Sequence, residues 1–366
     1  MQEIIVRHIR TLEEFASLKE EWGKLIEARE QKTAFLTWEW LHAWWKNYGE
    51  KKELWLLTTW HEGKLVGAAP LMLGVEKRLG LSFRHLQSLG KPNTDEWDVL
   101  ALSNPEAVVQ AIFSYINDNK NQWDSIELCE LNSESSMVPL IKSQFGALSL
   151  HILHSTNDHY YISTAEAWDD YWKSLSKNTR DSIEKRYKQG KKKLNLEFEY
   201  IRGSDVTWQH FDTIFAINEK GRYPEKYGSE QERSFLKDLV AGMHEKQWLE
   251  IFFLHMDNQP VAFDYGFNID GKFEDWRTGY DMNYSTQAAG KILLYLMLKQ
   301  QFEGTQHHFD FLRGAYEYKT QWNPKGREFS TIIAIKRFHL PARLILDILP
   351  RIWRWIKLNI LRRRPN

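Results

Sequence analysis

The sequence predicts a mixed α/β chain made of two copies of one unit, and three observations carry that expectation. Leu54–Leu73 and Leu249–Phe267 each read as strand, tight turn and strand, with His61-Glu-Gly63-Lys and Asp257-Asn-Gln-Pro260 at the turns. Each hairpin is followed by another strand, a helix and an apolar strand with an aspartate near its start. That last strand is Trp123-Asp-Ser-Ile-Glu-Leu in the first half and His308-Phe-Asp-Phe-Leu in the second. Finally, 366 residues exceed one ordinary core and suit two domains. The expected division is 1–155, 156–335 and a basic tail 336–366, with the seam near His154–Tyr160 after a strand Ala147–Leu153.

Composition bounds the function. Hydrophobic residues make up 42% and charged residues 27%, an ordinary globular balance, and the formal net charge is zero. Nothing global therefore steers the chain to DNA. The single cysteine, Cys129, falls in the apolar strand Asp124–Leu131 and reads as core. Disulfide scaffolding is excluded, and no Cys/His spacing supports a metal site. Seventeen tryptophans read mostly as packing. No leader pattern opens the chain, since Met1–Arg7 reads as a first strand, and no apolar run is long enough to span a bilayer. The expected compartment is the cytoplasm.

Taken in order, the elements separate the two copies. In the first, a strand Glu96–Ala101 leads through Leu102-Ser-Asn-Pro into a helix over about Pro105–Asn119. That loop holds no glycine, so its backbone cannot easily approach a phosphate. Asp169–Lys193 has helical periodicity and a dense basic run, read as a solvated face or a clamp for an anion. In the second copy the strand Val261–Asn268 alternates. Val261, Phe263, Tyr265 and Phe267 make an apolar face, and Ala262, Asp264, Gly266 and Asn268 a small polar one. A strand ending at Thr278–Asp281 is followed by the loop Gln287–Gly290 and an apolar helix Lys291–Gln301. Strand, small-residue loop and helix N-terminus make an anion site, because free N–H groups and the helix dipole converge there. The strand His308–Leu312 then passes through Arg313-Gly314 into a segment rich in Tyr, Lys and Trp. The tail carries Arg351, Arg354, Lys357, Arg362, Arg363 and Arg364 interleaved with Ile352, Trp353, Trp355, Ile356 and Ile360, and Pro350 is expected to kink or divide its helix. It reads either as a helix packed on the domain or as an interfacial helix that contacts anionic membrane on the cytoplasmic face.

Gln287-Ala-Ala-Gly290-Lys-Ile292 resembles the Gln/Arg-x-x-Gly-x-Gly/Ala loop of the GNAT superfamily of N-acyltransferases, with Ile292 in place of the last small residue. Phe35-Leu-Thr-Trp-Glu-Trp40-Leu-His-Ala-Trp44-Trp45, Gly67-Ala-Ala-Pro-Leu-Met72 and Ser176-Lys-Asn-Thr-Arg180 are similar to segments of its CelD-like branch, which is related to the Fem-type aminoacyltransferases. The resemblance spans most of residues 35–322. It implies tandem GNAT-like domains, each a mixed, mainly antiparallel sheet flanked by helices, with the donor site in the second. Acyl-CoA or acyl-carrier protein is then the expected co-substrate, and a small-molecule, lipid-linked or sugar-linked amine the acceptor. The donor would lie on Gly279, Tyr280, Gln287, Ala288, Ala289, Gly290 and Lys291.

An amine must lose a proton before it attacks, and the leaving group must be met by a donor. Asp264 is the candidate base; the alternative is an acid paired with Arg277 on the neighbouring strand. Tyr318 is the first candidate proton donor and Tyr316 the second, since the superfamily often draws this residue from the following helix. Expected contributors to substrate binding are Trp44, Asp95, Arg180, Asp281, Tyr284, Arg313, Lys319 and Trp322, with Arg180 singled out because guanidinium grips phosphate in bidentate fashion. Two further readings stand beside the acyltransferase: a Fem-type enzyme using aminoacyl-tRNA, and a non-catalytic scaffold for envelope or exopolysaccharide assembly.

Overall fold

The computed structural model describes residues 4–148, 150–304 and 307–359, and the chain divides into two compact units. One comprises the chain up to Gln31, Phe35–Thr156 and the chain from Phe329; the other comprises Asn157–Glu328 with Lys32–Ala34.

In the first unit β1 (Ile5–Ile9), β2 (Glu53–His61), β3 (Lys64–Arg78), β4 (Leu81–Ser88), β6 (Ser125–Asn132) and the Phe329 end of β13 (Lys325–Lys336) lie side by side in that order. A two-residue β5 (Leu100–Ala101) pairs with β3. In the second unit the order is β8 (Glu197–Arg202), β9 (Leu249–Met256), β10 (Gln259–Ile269), β11 (Lys272–Tyr280), β12 (His308–Arg313) and the Asn157 end of β7 (Leu150–Ser163). Every neighbouring pair is antiparallel except β4 with β6 and β11 with β12, which are parallel. The two units therefore share one plan: an edge strand, a hairpin, a third strand, a parallel partner reached through a helix, and an antiparallel cover.

The hairpins form because their turns suit the right-handed twist of strands. Glu62 and Gly63 have φ of 48° and 75°, and Asp257 and Asn258 have φ of 51° and 62°, so both central residues of each turn are left-handed. In the second unit the helix Ala289–Glu303 covers the sheet. Its Ile292, Leu293, Met297 and Leu298 are buried with Phe252, Leu254, Ala262 and Phe273 in one cluster. Each such side chain contributes about 1.5–3 kcal/mol by burial, which holds the helix start in place. The tryptophans behave as packing: Trp22, Trp40, Trp97 and Trp123 are fully buried. Their ring N–H groups donate to Leu36 O, Thr94 Oγ1, Pro70 O and Ile116 O. Cys129 is a core residue whose thiol is pushed up to about 12 by burial.

Several expectations are corrected. The strand expected over Glu96–Ala101 is only β5, and the third strand of the first unit is β4. Ala147 ends a helix, Met137–Ala147, and the seam between Thr156 and Asn157 lies within the expected His154–Tyr160 window but inside one continuous strand, β7, instead of after a strand. Residues Phe329–Ile335, expected in the second unit, pair with β6 of the first. Pro350 does not divide the tail, which stays helical through it. The helix Leu340–Arg343 widens into a π turn at Leu344–Ile348 and continues as Leu349–Asn359. A proline ring crowds the carbonyl four residues back, and a wider turn just before it relieves that contact. Ile360, Arg362, Arg363 and Arg364 lie outside the described residues. Among the described residues no helix is long and apolar enough to cross a membrane.

Candidate active site

The second unit holds a cavity of about 510 Å³ above the middle of its sheet. Its position follows from the way β11 and β12 separate. They are paired only over Lys272–Glu274 and His308–Asp310, while β11 runs on to Tyr280 beside β10. Beyond that split, Lys319 Nζ donates to the carbonyls of Phe311 at 2.6 Å and Arg313 at 2.8 Å. It thus satisfies backbone groups on the strand end that β11 has left.

Asp264 and Asp275 lie at the cavity, 3% and 7% exposed. They meet because of a bulge in β11. Tyr265 faces Arg277 and Gly266 faces Asp275, so Trp276 is the extra residue and packs with Arg277 on the opposite face. Arg277 lies over the rings of Trp276 at 4.1 Å and Tyr227 at 5.2 Å. Asp264 is therefore not paired with Arg277: its acidic neighbour is Asp275, and among the described residues Asp264 Oδ1 has no hydrogen-bond partner. Burial, then the neighbouring Asp275 charge, pushes Asp264 well above the usual carboxylate range. Burial raises Asp275 to about 6, against the opposing pull of the Lys319 charge and the Asp264 hydrogen bond. The two carboxyls therefore titrate as an interacting pair, each raised by burial.

Tyr318, 41% exposed as a residue, lines the same cavity, and partial burial of its hydroxyl with the charges of Asp275 and Asp264 raises its pKa. The opposite wall is the start of the helix Ala289–Glu303, where Ala289, Gly290 and Lys291 contribute first-turn N–H groups. Its cap, Ala288, has φ 60° and makes no side-chain cap bond, so those amides face the cavity unclaimed by a capping side chain. The matching helix of the first unit, Pro105–Asp118, differs on both counts. Asn104 Oδ1 accepts from Ala107 N at 3.3 Å, and Pro105 has no N–H to offer. Among the described residues, this helix start is uncapped in the second unit and capped in the first. Gly290 packs tightly, since an added Cβ would lie 3.1 Å from Tyr280 Cδ1 and the ring would have to give way. Gly279 faces the Phe263 ring in the same way, at 2.7 Å, and meets the cavity through its backbone.

Of the residues expected from sequence, the cavity brings together Asp264, Tyr318, Gly279, Tyr280, Ala288, Ala289, Gly290, Lys291 and Trp322. Others lie elsewhere. Gln287 accepts from Thr286 Oγ1 at 2.7 Å, and Tyr316 is the exposed cap of the short helix Glu317–Thr320. Lys319 is buried and held by backbone carbonyls, so it acts on the site through its charge and not by touching a ligand. Asp281 accepts from Asn283 N at 2.9 Å as a turn cap, Tyr284 packs on the core, and Arg313 contributes its carbonyl to Lys319. Arg180 sits half-buried on the helix Lys177–Lys193, outside the cavity lining. Trp44 and Asp95 are buried in the first unit, with Trp44 Nε1 donating to Asn93 Oδ1 at 3.1 Å. Sequence reasoning missed Asp275, together with Asn218, Arg222, Tyr223 and Tyr227 of the helix and loop that close the cavity. The aromatic-basic run Arg222-Tyr223 was the one signal available for that loop.

Residues 177–320 match the family described as the acetyltransferase (GNAT) domain. Solved structures share the fold along most of the chain. A structure of FemX is 9% identical with a TM-score of 0.56, covering 89% of this chain and 96% of that one. The structure of L-PGS from Bacillus licheniformis is 10% identical with a TM-score of 0.55, covering 89% and 94%. A tandem GNAT protein from the clavulanic acid biosynthesis pathway is 10% identical with a TM-score of 0.50, covering 90% and 98%. At such identities the likeness is one of fold. No curated protein matches the chain in sequence. The cavity and its fold define an acyltransferase-type domain. Residues 177–320 thus carry a GNAT domain, and the chain as a whole shares the fold of FemX and of a tandem GNAT protein.

Proposed function

We propose that the protein is an N-acyltransferase that moves an acyl group from acyl-CoA or acyl-carrier protein to an amine of cell-envelope or exopolysaccharide metabolism, in the manner of the CelD-like branch. One observation carries this reading. A single cavity joins uncapped first-turn amides, two buried carboxyls whose proton affinity burial raises, and a tyrosine hydroxyl. The amides of Ala289, Gly290 and Lys291 suit the donor's phosphates, and the thioester supplies an activated acyl carbon. The Asp264–Asp275 pair, with an affinity for protons raised by burial, takes the proton of the attacking amine as the C–N bond forms. Tyr318 offers a hydrogen bond to the sulfur as its bond to the acyl carbon breaks.

The test is calorimetry with CoA, acetyl-CoA and longer acyl-CoA, followed by thiol release over a panel of amines. Binding of any of these donors without a first-turn contribution, seen as unchanged affinity in Gly290→Val, overturns the donor site. The aminoacyl-tRNA reading has its own support. The helix Lys177–Lys193 exposes Lys185, Lys188, Lys191, Lys192 and Lys193, and Arg186 holds the donor loop by donating to Thr286 O at 2.5 Å. A tRNA donor would give affinity that falls steeply with salt, whereas CoA binding would change little.

A further inference from the structure

The chain from Ile335 to Asn359 carries a surface that acyl transfer does not use. Its root is seated on the first unit: Ile335, Ala342 and Ile345 are buried with Phe83, and Leu346 and Leu349 pack at the edge of that cluster. In a helix, positions 345, 349, 352 and 356 share one face. Ile345 and Leu349 cover protein with that face. One turn further on Ile352 is exposed, with Trp353 and Trp355 each 60% exposed beside it. At the root Phe338 is 89% exposed. A helix whose apolar face outruns the protein beneath it needs another apolar phase to cover it.

Charge says which phase. Arg351, Arg354 and Lys357 recur every third residue and are all exposed, and residues 348–359 contain no acid. The one acid of the segment, Asp347, is buried and bound by His151 Nε2 at 2.8 Å and by Arg351. At the root, a groove of about 660 Å³ lined by Trp123, Leu150 and Phe338 also holds Lys120, Lys336 and Arg337. The Asp124 carboxylate in it is shared between Arg84 Nη2 at 2.9 Å and Lys336 Nζ at 3.7 Å, so the groove sets one carboxylate against Lys336, Lys120 and Arg337. Uniformly cationic flanks beside tryptophans suit the headgroup region of an anionic bilayer, where indole rings settle and each cation is drawn to lipid phosphate.

We propose that this face docks on a bilayer containing anionic phospholipid, with the helix Leu349–Asn359 lying in the interfacial plane and the root groove meeting a headgroup. The site in the second unit takes no part in the argument, so the inference stands or falls apart from the proposed reaction. The test is flotation of the full chain at low salt with phosphatidylcholine vesicles and with vesicles containing a third phosphatidylglycerol. The expected result is flotation with the anionic vesicles and little with the neutral ones. Arg351 is paired with Asp347, and each of the other two interfacial cations is worth about five-fold in partition, so R354Q/K357Q should weaken it roughly twenty-five-fold. W353S/W355S should also lose binding while melting like the parent, because both rings are exposed. Absence of flotation with either vesicle, or equal flotation by the variants, overturns the proposal. So does a dimer in sedimentation that W353S/W355S converts to monomer, which would make the face a contact between copies.

Discussion

Asp275→Asn should make the protein more stable at alkaline pH while removing its proton-accepting pair. Asp275 is an acid whose pKa is raised from 3.8 to about 6 in the folded chain, first by burial. For a raised acid the stabilisation is complete below the unfolded value and is lost as pH rises through the folded one. The native state holds its proton over that window and the unfolded chain does not, so stability falls from about pH 4 to above pH 6. A rise from 3.8 to about 6 corresponds to about 3 kcal/mol of stability lost by pH 8. Asn cannot ionise, so the variant should not show that loss, and its advantage over the parent should grow by about 3 kcal/mol between pH 4 and 8. Urea unfolding at pH 4, 5, 6, 7 and 8, followed by fluorescence, measures the difference directly. Parallel profiles for parent and variant would refute the buried pair as the source of the pH dependence, as would NMR titration of Asp275 near 4.

Other perturbations separate the remaining roles. Gly290→Val should abolish donor binding in calorimetry, because its Cβ would crowd the Tyr280 ring at 3.1 Å and disturb the first turn. Tyr318→Phe should lower kcat at least ten-fold with donor affinity unchanged, since the hydroxyl matters only as the sulfur leaves. Ala288→Gly relieves a left-handed alanine and should raise stability by up to about 1 kcal/mol, whereas Ala288→Val should lower it by more than that; thermal melting distinguishes them. Lys319→Met leaves two carbonyls without their donor and should cost about 3 kcal/mol. It should also move the acid limb of the activity profile to higher pH, because the Lys319 charge holds Asp275 down.

The sequence by itself determined the duplicated plan, the tight turns and the unequal helix starts. Alternation, paired turn residues and the contrast between Gln287–Lys291 and Leu102–Pro105 are local properties that need no distant partner to be read. The small polar face of β10 also pointed to Asp264, which lines the cavity with Tyr318, whereas Tyr316 does not line it. Tertiary structure decided the rest. The bulge at Trp276 resets the alternation of β11, turning Asp275 toward Asp264 and Arg277 away, and one extra residue leaves no mark on composition or period. Lys319 looked like a ligand contact until β12 parted from β11 and left carbonyls for it to satisfy. Likewise the seam runs through β7, and β13 returns to cover β6, because an open strand edge is closed by whichever strand reaches it, wherever that strand lies in sequence. Periodicity is written into neighbouring residues, whereas strand partners and orphaned backbone groups exist only once distant segments have met.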